Sequence, residues 1–518
     1  MQRQAVNTAL AALSGIVAVI GGVAVGEIAA AAVSPLSAPF QSVAAALVDT
    51  SPAPLREWAI DTFGTSDKLA LRIGIGVAMV VIAALAGILQ SRRPHLGAAI
   101  CIVFGAVGVI AAVTRPTAGP TFAIPSILAG IASAALVVWL CRALGSRAAA
   151  DTDDTPAASA GWSRRRFLTV SGLVVAASAG VTVVARQLAA AGGVVAERAG
   201  LKLPIPASPA QPIPAGVQLD IPGATSFLTD NRAFYRIDTA LIVPRLTTKD
   251  WSLRIHGMVD REITLDWDDL MAIPAQERIV TLTCVSNEVG GDLIGTARWI
   301  GFPMRDLLAR AGIQGDADML LSTSVDGWTS GTPLEAINDG RDAMLAVGMN
   351  GEPLPLEHGY PVRQVIPGLY GYVSACKWVT DWEITRFDRA RAYWTDRGWG
   401  EKGPIKTASR IDRPAPLSTH DVGKPVTIAG TAWAQHRGIR AVEVRIDDGP
   451  WEPATLANQY SLDTWRQWSY TWQPTSAGNH TVYCRATDAN GIVQTSERVP
   501  TVPDGATGWH SRVLRTAA

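Results

Sequence analysis

The residue with the clearest chemical potential in this chain is Cys284, which lies in the stretch Thr-Leu-Thr-Cys-Val-Ser-Asn-Glu-Val-Gly-Gly at residues 281–291. The apolar, β-branched run before it, residues 279–283, predicts a buried strand, and the glycines after it favour a turn. A thiol at the end of a strand can reach a cavity, where a thiolate suits a transition metal. A lone cysteine after a strand is more often core packing, so this residue alone leaves both interpretations open.

The elements before this region have the composition of a membrane anchor. Five apolar stretches have about the length that crosses a bilayer, roughly 20 residues; they are 5–33, 69–89, 96–113, 122–140 and 167–190. If the N-terminus is cytoplasmic, the arginines of the short connections share one side; they are Arg3, Arg92, Arg93, Arg142, Arg147 and Arg164 to Arg166. An odd number of spans then places everything after residue 190 outside the cytoplasm.

The segment Ser163-Arg164-Arg165-Arg166-Phe167-Leu168, just before the fifth apolar stretch, resembles a twin-arginine export signal. A simple cluster of positive-inside charge would account for the same residues. Export of a folded protein would suit a domain that receives a bulky cofactor before it crosses the membrane. The balance of 45 basic and 45 acidic residues argues against nucleic acid as a partner.

The remainder of the chain predicts a linker and two soluble domains, so the expected fold is multi-domain. Residues 191–226 are rich in Gly, Pro and Ala and predict an extended tether between the five-helix transmembrane anchor (1–190) and the soluble part. Residues 227–412 mix short strands and helices, which indicates an α+β domain. Residues 413–518 alternate in short strands separated by turns, which is typical of an immunoglobulin-like β-sandwich.

An ordered set of motifs resembles the sulfite oxidase family of molybdopterin enzymes, including its bacterial sulfoxide-reductase relatives. The motifs are Phe234-Tyr235-Arg236, Thr281–Cys284, Ala297–Gly301, Met349–Pro355, His358–Arg363, Ile366–Gly368 and Lys377-Trp378. The sandwich is similar to the dimerisation domain of that family through Gly430–Trp433 and Gly505–His510. The resemblance covers about residues 225–518, and it implies a molybdenum–molybdopterin cofactor and a possible homodimer.

The resemblance also implies roles for individual residues. Cys284 would be the single protein thiolate on molybdenum, and Arg236 would orient the substrate or the cofactor. The positions that would contact the cofactor are Asn231, Tyr235, Arg236, Ser324, His358, Arg363, Ser374, Cys376 and Lys377. Without the resemblance, Arg363 reads as a surface ion-pair partner and His358 as a loop histidine, while Trp299 fits a pocket mouth or a core equally well.

The chain departs from the family pattern where sulfite oxidases bind their oxyanion with arginines and a tyrosine. Arg236 occupies one of these positions, but another falls near Val289, beside Glu288. A third falls near Val373 or Ser374, and the tyrosine position holds Trp328. Fewer cationic donors should weaken the binding of a small dianion.

The sequence therefore predicts a membrane-anchored molybdenum oxidoreductase that transfers an oxygen atom on the non-cytoplasmic side. Two electrons would be exchanged with a separate partner, either a cytochrome or a quinone-linked protein. Three functions remain open at this point: oxidation of sulfite, reduction of a sulfoxide such as oxidised methionine in exported proteins, and a non-catalytic assembly scaffold.

Overall fold

Long helices build the N-terminal part of the chain. In the computed structural model, which describes residues 2–52, 54–55, 58, 62–63, 67–115, 118–150, 162–191 and 193–518, the chain divides into two units. One unit comprises Met1–Glu197 with Ala240–Pro244, and the other comprises Arg198–Thr239 with Arg245–Ala518. The helices of the first part are α1 Gln2–Val33, α2 Pro39–Thr50, α3 Asp67–Arg92, α4 Leu96–Val113, α5 Ala123–Ala150, α6 Arg164–Ala191 and α7 Val194–Gly200.

Four segments of the described chain are long and apolar enough to cross a membrane: Asn7–Val33, Lys68–Arg92, Leu96–Val113 and Pro120–Leu144. The fifth predicted stretch is helical, as part of α6, but it is not one of these four. Much of the second half of this helix, residue 182 and residues 184–191, lies outside the part of the chain whose side chains the structure describes. Four spans are therefore supported within the described residues, and the fifth predicted crossing, by α6, is a proposal.

Small residues let the apolar helices approach closely. A Cβ atom on Gly15 of α1 would lie 1.9 Å from the backbone oxygen of Ala83 in α3, so only glycine fits at this crossing. A Cβ atom on Gly22 would similarly meet Ser133 of α5. Inside a bilayer the hydrophobic effect does not drive helices together, so helix association there depends on close backbone contacts of this kind.

Two sheets form the α+β domain that follows. One has the strand order β2-β1-β10-β5-β6, and the other has the order β3-β4-β7-β8 with β9 paired to β7. The strands are β1 Ser252–Gly257, β2 Ile263–Asp266, β3 Gln276–Thr283, β4 Ile294–Pro303, β5 Met319–Ser324, β6 Thr329–Pro333, β7 Met344–Met349, β8 Glu352–Pro353, β9 Arg363–Val365 and β10 Val379–Thr385. The helices are α8 Trp267–Met271, α9 Met304–Ala311, α10 Glu335–Asn338 and α11 Gly371–Ser374.

Local sequence signals mark the ends of two of these helices. Asp266 caps α8, since its side chain accepts from the backbone N–H of Asp269, and the Asp269 side chain bonds back to complete a capping box. Gly312 ends α9 at a φ of 73°, a conformation that suits glycine.

The C-terminal residues form a two-sheet sandwich, as predicted. Its sheets have the strand orders β11-β13-β17-β16 and β12-β19-β18-β14-β15. The strands are β11 Ala408–Arg413, β12 Thr419–Asp421, β13 Val426–Trp433, β14 Ile439–Ile446, β15 Glu452–Pro453, β16 Thr455–Leu456, β17 Arg466–Trp472, β18 Gly478–Asp488 and β19 His510–Ala517. Inward-facing side chains such as Ile428, Trp468 and Leu514 are fully buried between the sheets.

Residues 191–226, predicted to be an extended tether, are partly helical and are partly bonded to the soluble unit. Residues 194–200 form α7, and the extended stretch after it lies against the soluble unit. The N–H of Ala207 donates to Ala275 O at 2.8 Å, and Ser208 O accepts from Glu277 at 2.8 Å. Farther on, the N–H of Leu219 donates to Gln467 Oε1 of the sandwich at 2.6 Å. Proline-rich composition predicts an extended backbone. The hydrogen-bond partners, however, lie on or next to the distant strands β3 and β17, and no neighbouring residue in the sequence indicates them.

Candidate functional site

Cys284 lies at the end of strand β3, in the interior of the soluble unit. The strand is buried along most of its length, and Cys284 directly after it is 8% exposed. Its N–H donates to Leu293 O at 2.9 Å, which closes the loop between β3 and β4. Burial raises the pKa of the Cys284 thiol, whereas hydrogen bonds from the backbone and side chain of Ser286 act to lower it. The thiol is therefore enclosed and has donors ready for a thiolate.

The loop that follows Cys284 is held from within. The N–H of Asn287 donates to Cys284 O at 3.1 Å, and Asn287 Oδ1 accepts from the N–H of Leu293 at 2.9 Å. Asn287 is buried, so these bonds are protected from competing water. Asn287 thus fixes the start of the loop through its backbone N–H and the end of the loop through its side-chain oxygen.

The sandwich domain holds the same loop from outside. Gln435 Nε2 donates to Thr283 Oγ1 at 2.8 Å, and Arg410 Nη1 donates to Gly291 O at 2.6 Å. Arg410 is itself paired with Asp412 at 2.6 Å, and both side chains are largely buried. A fixed guanidinium and a fixed amide from a second domain therefore position the residues on either side of Cys284.

His510 completes this support. A Cβ atom on Gly290 would lie only 2.3 Å from the His510 ring, and Gly290 has a φ of 84°. The ring is fixed because its Nδ1 accepts from the N–H of Ile411 at 2.9 Å. Burial, together with the arginines Arg410, Arg498 and Arg512, lowers the pKa of His510 to about 4.

Two tyrosines lie within electrostatic range of Cys284. Burial raises the pKa of Tyr235, and the Cys284 thiolate raises it further, while Arg363 lowers it. Burial likewise raises the pKa of Tyr370 to about 12, with a further contribution from Cys284. These phenols can donate hydrogen bonds beside the thiol.

A group of cationic and imidazole side chains lies next to Tyr235. The Arg363 residue is 5% exposed; its Nη1 donates to His358 O at 3.1 Å, and its guanidinium stacks 5.0 Å from the centre of the Trp299 ring. Within the part of the chain that the structure describes, Arg363 forms no ion pair and bonds only to carbonyl oxygens. Burial lowers its pKa to about 10. A buried guanidinium without a carboxylate is suited to binding an anion.

His358 and Lys377 flank this guanidinium. His358 Nε2 lies 3.0 Å from Asn231 O, and burial together with Arg363 lowers the pKa of His358 to about 4. Lys377 forms an isolated bridge with Arg363 through their backbones, and burial lowers its pKa to about 8. A neutral imidazole thus lies beside two buried cationic side chains.

Asp238 balances one of these charges. Its carboxylate lies 2.7 Å from Lys377 Nζ and 2.9 Å from Arg236 Nε. The Lys377 and Asp238 side chains are 10% and 5% exposed, whereas the Arg236 side chain is 41% exposed. The structure therefore places the predicted substrate-orienting residue, Arg236, in an ion pair with the buried Asp238.

Of the other predicted positions, Asn231 is half-buried and Ser374 and Cys376 are buried, and the side chains of all three are already engaged. Asn231 bonds Glu352 at 2.6 Å and Asn350 at 2.8 Å. Ser374 Oγ lies 3.0 Å from both Leu369 O and Tyr370 O. Cys376 Sγ bonds Lys377 O at 3.8 Å.

Ser324 ends β5, where its Oγ lies 3.5 Å from the N–H of Asp326. Such residues could contact a cofactor through their backbone rather than through their side chains. Trp299, for which a pocket position and a core position were both open, is fully buried.

Several supporting residues were not foreseen from the sequence. Ser286 lies two residues after Cys284, and Asp238 lies two residues after Arg236. This short spacing is a weak local signal for both supporting residues. Tyr370 and Gln435 act across long sequence separations, and no local pattern marks them. His510 ends the stretch Gly505–His510 that resembles the dimerisation domain, but that resemblance gives it no role beside Cys284.

Comparison with known proteins supplies the family. Residues 240–394 match the model of the oxidoreductase molybdopterin binding domain, and residues 408–483 match a bacterial Ig domain. An uncharacterized oxidoreductase of Bacillus subtilis, YuiH, is 31% identical over 153 residues, which are 30% of this chain and 74% of YuiH. The chain belongs to the sulfite oxidase family of molybdopterin oxidoreductases.

Other relatives are longer than the shared region. Human mitochondrial sulfite oxidase is 30% identical over 333 residues, covering 53% of this chain and 58% of the human protein. The chain thus spans little more than half the length of this curated relative. The sulfane dehydrogenase SoxCD from Paracoccus pantotrophus is a solved structure with 23% identity and a TM-score of 0.49, covering 57% of this chain and 84% of that chain.

The cofactor of this family is molybdenum–molybdopterin, and the residues around Cys284 and Arg363 fit it. A soft metal needs a thiolate, and Cys284 is enclosed with donors from Ser286. A phosphate-bearing pterin needs fixed cations, and Arg363 is buried without a carboxylate partner in the described chain. The predicted positions Tyr235, His358 and Lys377 adjoin this guanidinium.

Proposed function

We propose that the chain is a membrane-anchored oxidoreductase that transfers an oxygen atom at a molybdenum held by Cys284. The observation that carries the proposal is a buried thiol, Cys284, and a buried guanidinium, Arg363, that both act on Tyr235; Arg363 has no carboxylate partner in the described chain. An enclosed cation of this kind is costly unless an anionic ligand completes it. Family membership favours an enzyme over the scaffold.

The chain's own residues would then divide the work. Bound molybdopterin would supply a redox-active metal able to exchange an oxygen atom and two electrons. Cys284 would bind the metal, while Arg363, His358 and Lys377 would bind the pterin and its phosphate. Tyr235 would donate a hydrogen bond beside the thiol, and the loop held by Gln435, Arg410 and His510 would keep these groups in register.

A neutral substrate, such as a sulfoxide, is the one we favour. Where an oxyanion-binding arginine is expected, the chain has Val289 next to the exposed Glu288, and Val373 is buried in the core. The remaining candidate, Arg236, already pairs with Asp238 at 2.9 Å. A dianion would find little uncompensated charge here, since Arg363 and Lys377 are assigned to the cofactor. Reduction of a sulfoxide consumes two electrons and two protons and releases the sulfide and water.

Sulfite oxidation is the second candidate, because the human protein that matches over 333 residues is named a sulfite oxidase. In that direction water supplies the oxygen, and sulfate, two protons and two electrons are produced. Either reaction needs a separate redox partner, for which a cytochrome and a quinone-linked protein both stay open. A homodimer formed through the sandwich is part of the same proposal.

The side of the membrane follows from α6. If α6 crosses after the four apolar segments and the N-terminus is cytoplasmic, the soluble unit lies outside the cytoplasm. The arginines that open α6 would then stay inside, where they could also act as an export signal. Protease accessibility of the soluble unit in spheroplasts tests this directly.

Dye-linked assays on the purified full-length protein would separate the two reactions. We expect methionine sulfoxide to be reduced with a reduced viologen dye and sulfite to be oxidised poorly with ferricyanide. Efficient turnover of sulfite would refute the argument from depleted charge. Val289→Arg should raise kcat/KM for sulfite about tenfold, since one charge-assisted hydrogen bond is worth ~1.5–3 kcal/mol. Thr495→Arg, on the exposed surface of the sandwich, is the matched charge control.

A further inference from the structure

The anchor contains a cavity that the molybdenum chemistry does not use. Its volume is about 220 Å³, and it lies within the N-terminal unit between α1, α2, α3, α4 and α5. Apart from Cys101, Ser126 and Ser133, the side chains that line it are apolar or are glycines, and none is charged. We propose that this cavity binds the carbonyl-bearing ring of a lipid-soluble quinone, with Ser126 as the hydrogen-bond donor.

The lining selects for a lipid-soluble ligand. Leu47, Phe104 and Val107 line the cavity and are also 40% or more exposed on the helix surface, so the opening is apolar. In a bilayer such an opening faces hydrocarbon, and a ligand would enter sideways from the membrane. A charged headgroup has no partner inside, and water needs two to four polar partners that this lining does not offer.

The size favours a ring. Apolar protein cavities of ~150 Å³ accept a benzene molecule. A cavity of about 220 Å³ therefore has room for a single substituted ring, with any attached chain leaving through the opening between the helices. An acyl chain alone would also fit the volume, so the polar group in the wall decides between the two.

Ser126 is that group. It is fully buried, it lines the cavity, and its Oγ has no hydrogen-bond partner within the described chain. Serines in helices commonly bond the carbonyl one turn back, as Ser14 does with Leu10 O at 2.9 Å, but Ser126 does not. A buried hydroxyl without an acceptor is costly in hydrocarbon. A quinone carbonyl supplies an acceptor, whereas a saturated acyl chain does not.

The inference goes beyond the proposed reaction, because it concerns a ligand of the anchor and is tested by binding rather than by turnover. The probe is an azido derivative of decylubiquinone, photolysed with the full-length protein in phospholipid nanodiscs and competed by decylubiquinone. We expect saturable labelling that maps to peptides of α2 to α5. Loss of molybdenum activity would leave this result unaffected, and loss of labelling would leave the activity unaffected.

Variants make the test specific. Ser126→Ala should raise the half-saturating concentration about fivefold, as expected for one lost hydrogen bond. Ser171→Ala is the matched control, since Ser171 is also a buried helical serine with an unpartnered Oγ in the described chain but does not line the cavity. Ala78→Phe should block the cavity, whereas Val77→Phe on the same helix, outside the lining, should not.

Unchanged monodispersity and helical circular dichroism would show that each variant is folded. Labelling that does not saturate, or that is equal in wild type and Ser126→Ala, would overturn the proposal. A photoreactive phospholipid acyl chain that labels the same peptides and is not displaced by decylubiquinone would also overturn it, because the occupant would then be an acyl chain.

Discussion

Gly290 gives the sharpest test of how the sandwich domain positions the loop after Cys284. Replacing it by alanine should be destabilising for two separable reasons. Its φ of 84° disfavours any residue with a Cβ atom, at about 1–2 kcal/mol. The added Cβ would also lie 2.3 Å from the His510 ring, which cannot withdraw without losing its 2.9 Å bond from Ile411. Overpacking of this kind costs a further ~1–3 kcal/mol.

Gly223 provides the matched control. It has a φ of 79°, but a Cβ atom there meets nothing within 4 Å, so Gly223→Ala reports the backbone term alone. We expect Gly290→Ala to lower the apparent free energy of unfolding, measured in urea on the full-length protein, by about 1–3 kcal/mol more than Gly223→Ala.

A double-mutant cycle isolates the contact. In a His510→Ala background, the cost of Gly290→Ala should fall to that of Gly223→Ala, because only the backbone term remains. Equal costs for the two glycine variants in the wild-type background, or a cost that His510→Ala does not relieve, would refute the claim that His510 supports this loop.

Further predictions concern charge. Because the pKa of His510 is lowered to about 4, the unfolded chain binds a proton between pH 6.5 and pH 4 that the folded chain does not bind. The free energy of unfolding should therefore fall as the pH drops through this window, by at most about 3 kcal/mol. His510→Gln should remove that part of the pH dependence in urea titrations at each pH. Lys377→Met removes the closest described ionic partner of the buried Asp238. The substitution should cost about 3–5 kcal/mol and lower the cofactor content, measured as bound pterin. An unchanged pterin content would contradict the assignment of Lys377 to the cofactor. Arg363→Lys should also lower the pterin content, because an ammonium group cannot keep both the hydrogen bonds to the carbonyl oxygens and the stack on Trp299. Arg254→Lys, which changes an exposed ion pair, is the control.

The sequence predicts local structure well where the signals are local. The alternation of residues 426–430 and 468–472 corresponds to β13 and β17, and the cap at Asp266 and the glycine at 312 mark helix ends. Likewise, the β-branched run before Cys284 corresponds to β3. In each case the backbone conformation follows from side chains within a few positions.

What the sequence does not predict depends on distant partners. The stretch 201–226 has the composition of a free tether, yet its backbone bonds lie on β3 and the sandwich. Arg236 has the residue type for an oxyanion ligand, but Asp238 pairs with it.

The central claim is that Cys284 is the protein ligand of molybdenum. Molybdenum K-edge X-ray absorption on the full-length wild type, Cys284→Ala and Cys376→Ala tests it most directly. The structure predicts bound molybdenum in the wild type, one fewer sulfur neighbour and no turnover in Cys284→Ala, and an unchanged sulfur count in Cys376→Ala, whose thiol bonds a backbone carbonyl. Wild-type protein without molybdenum, or a sulfur count that Cys284→Ala does not change, would contradict the account.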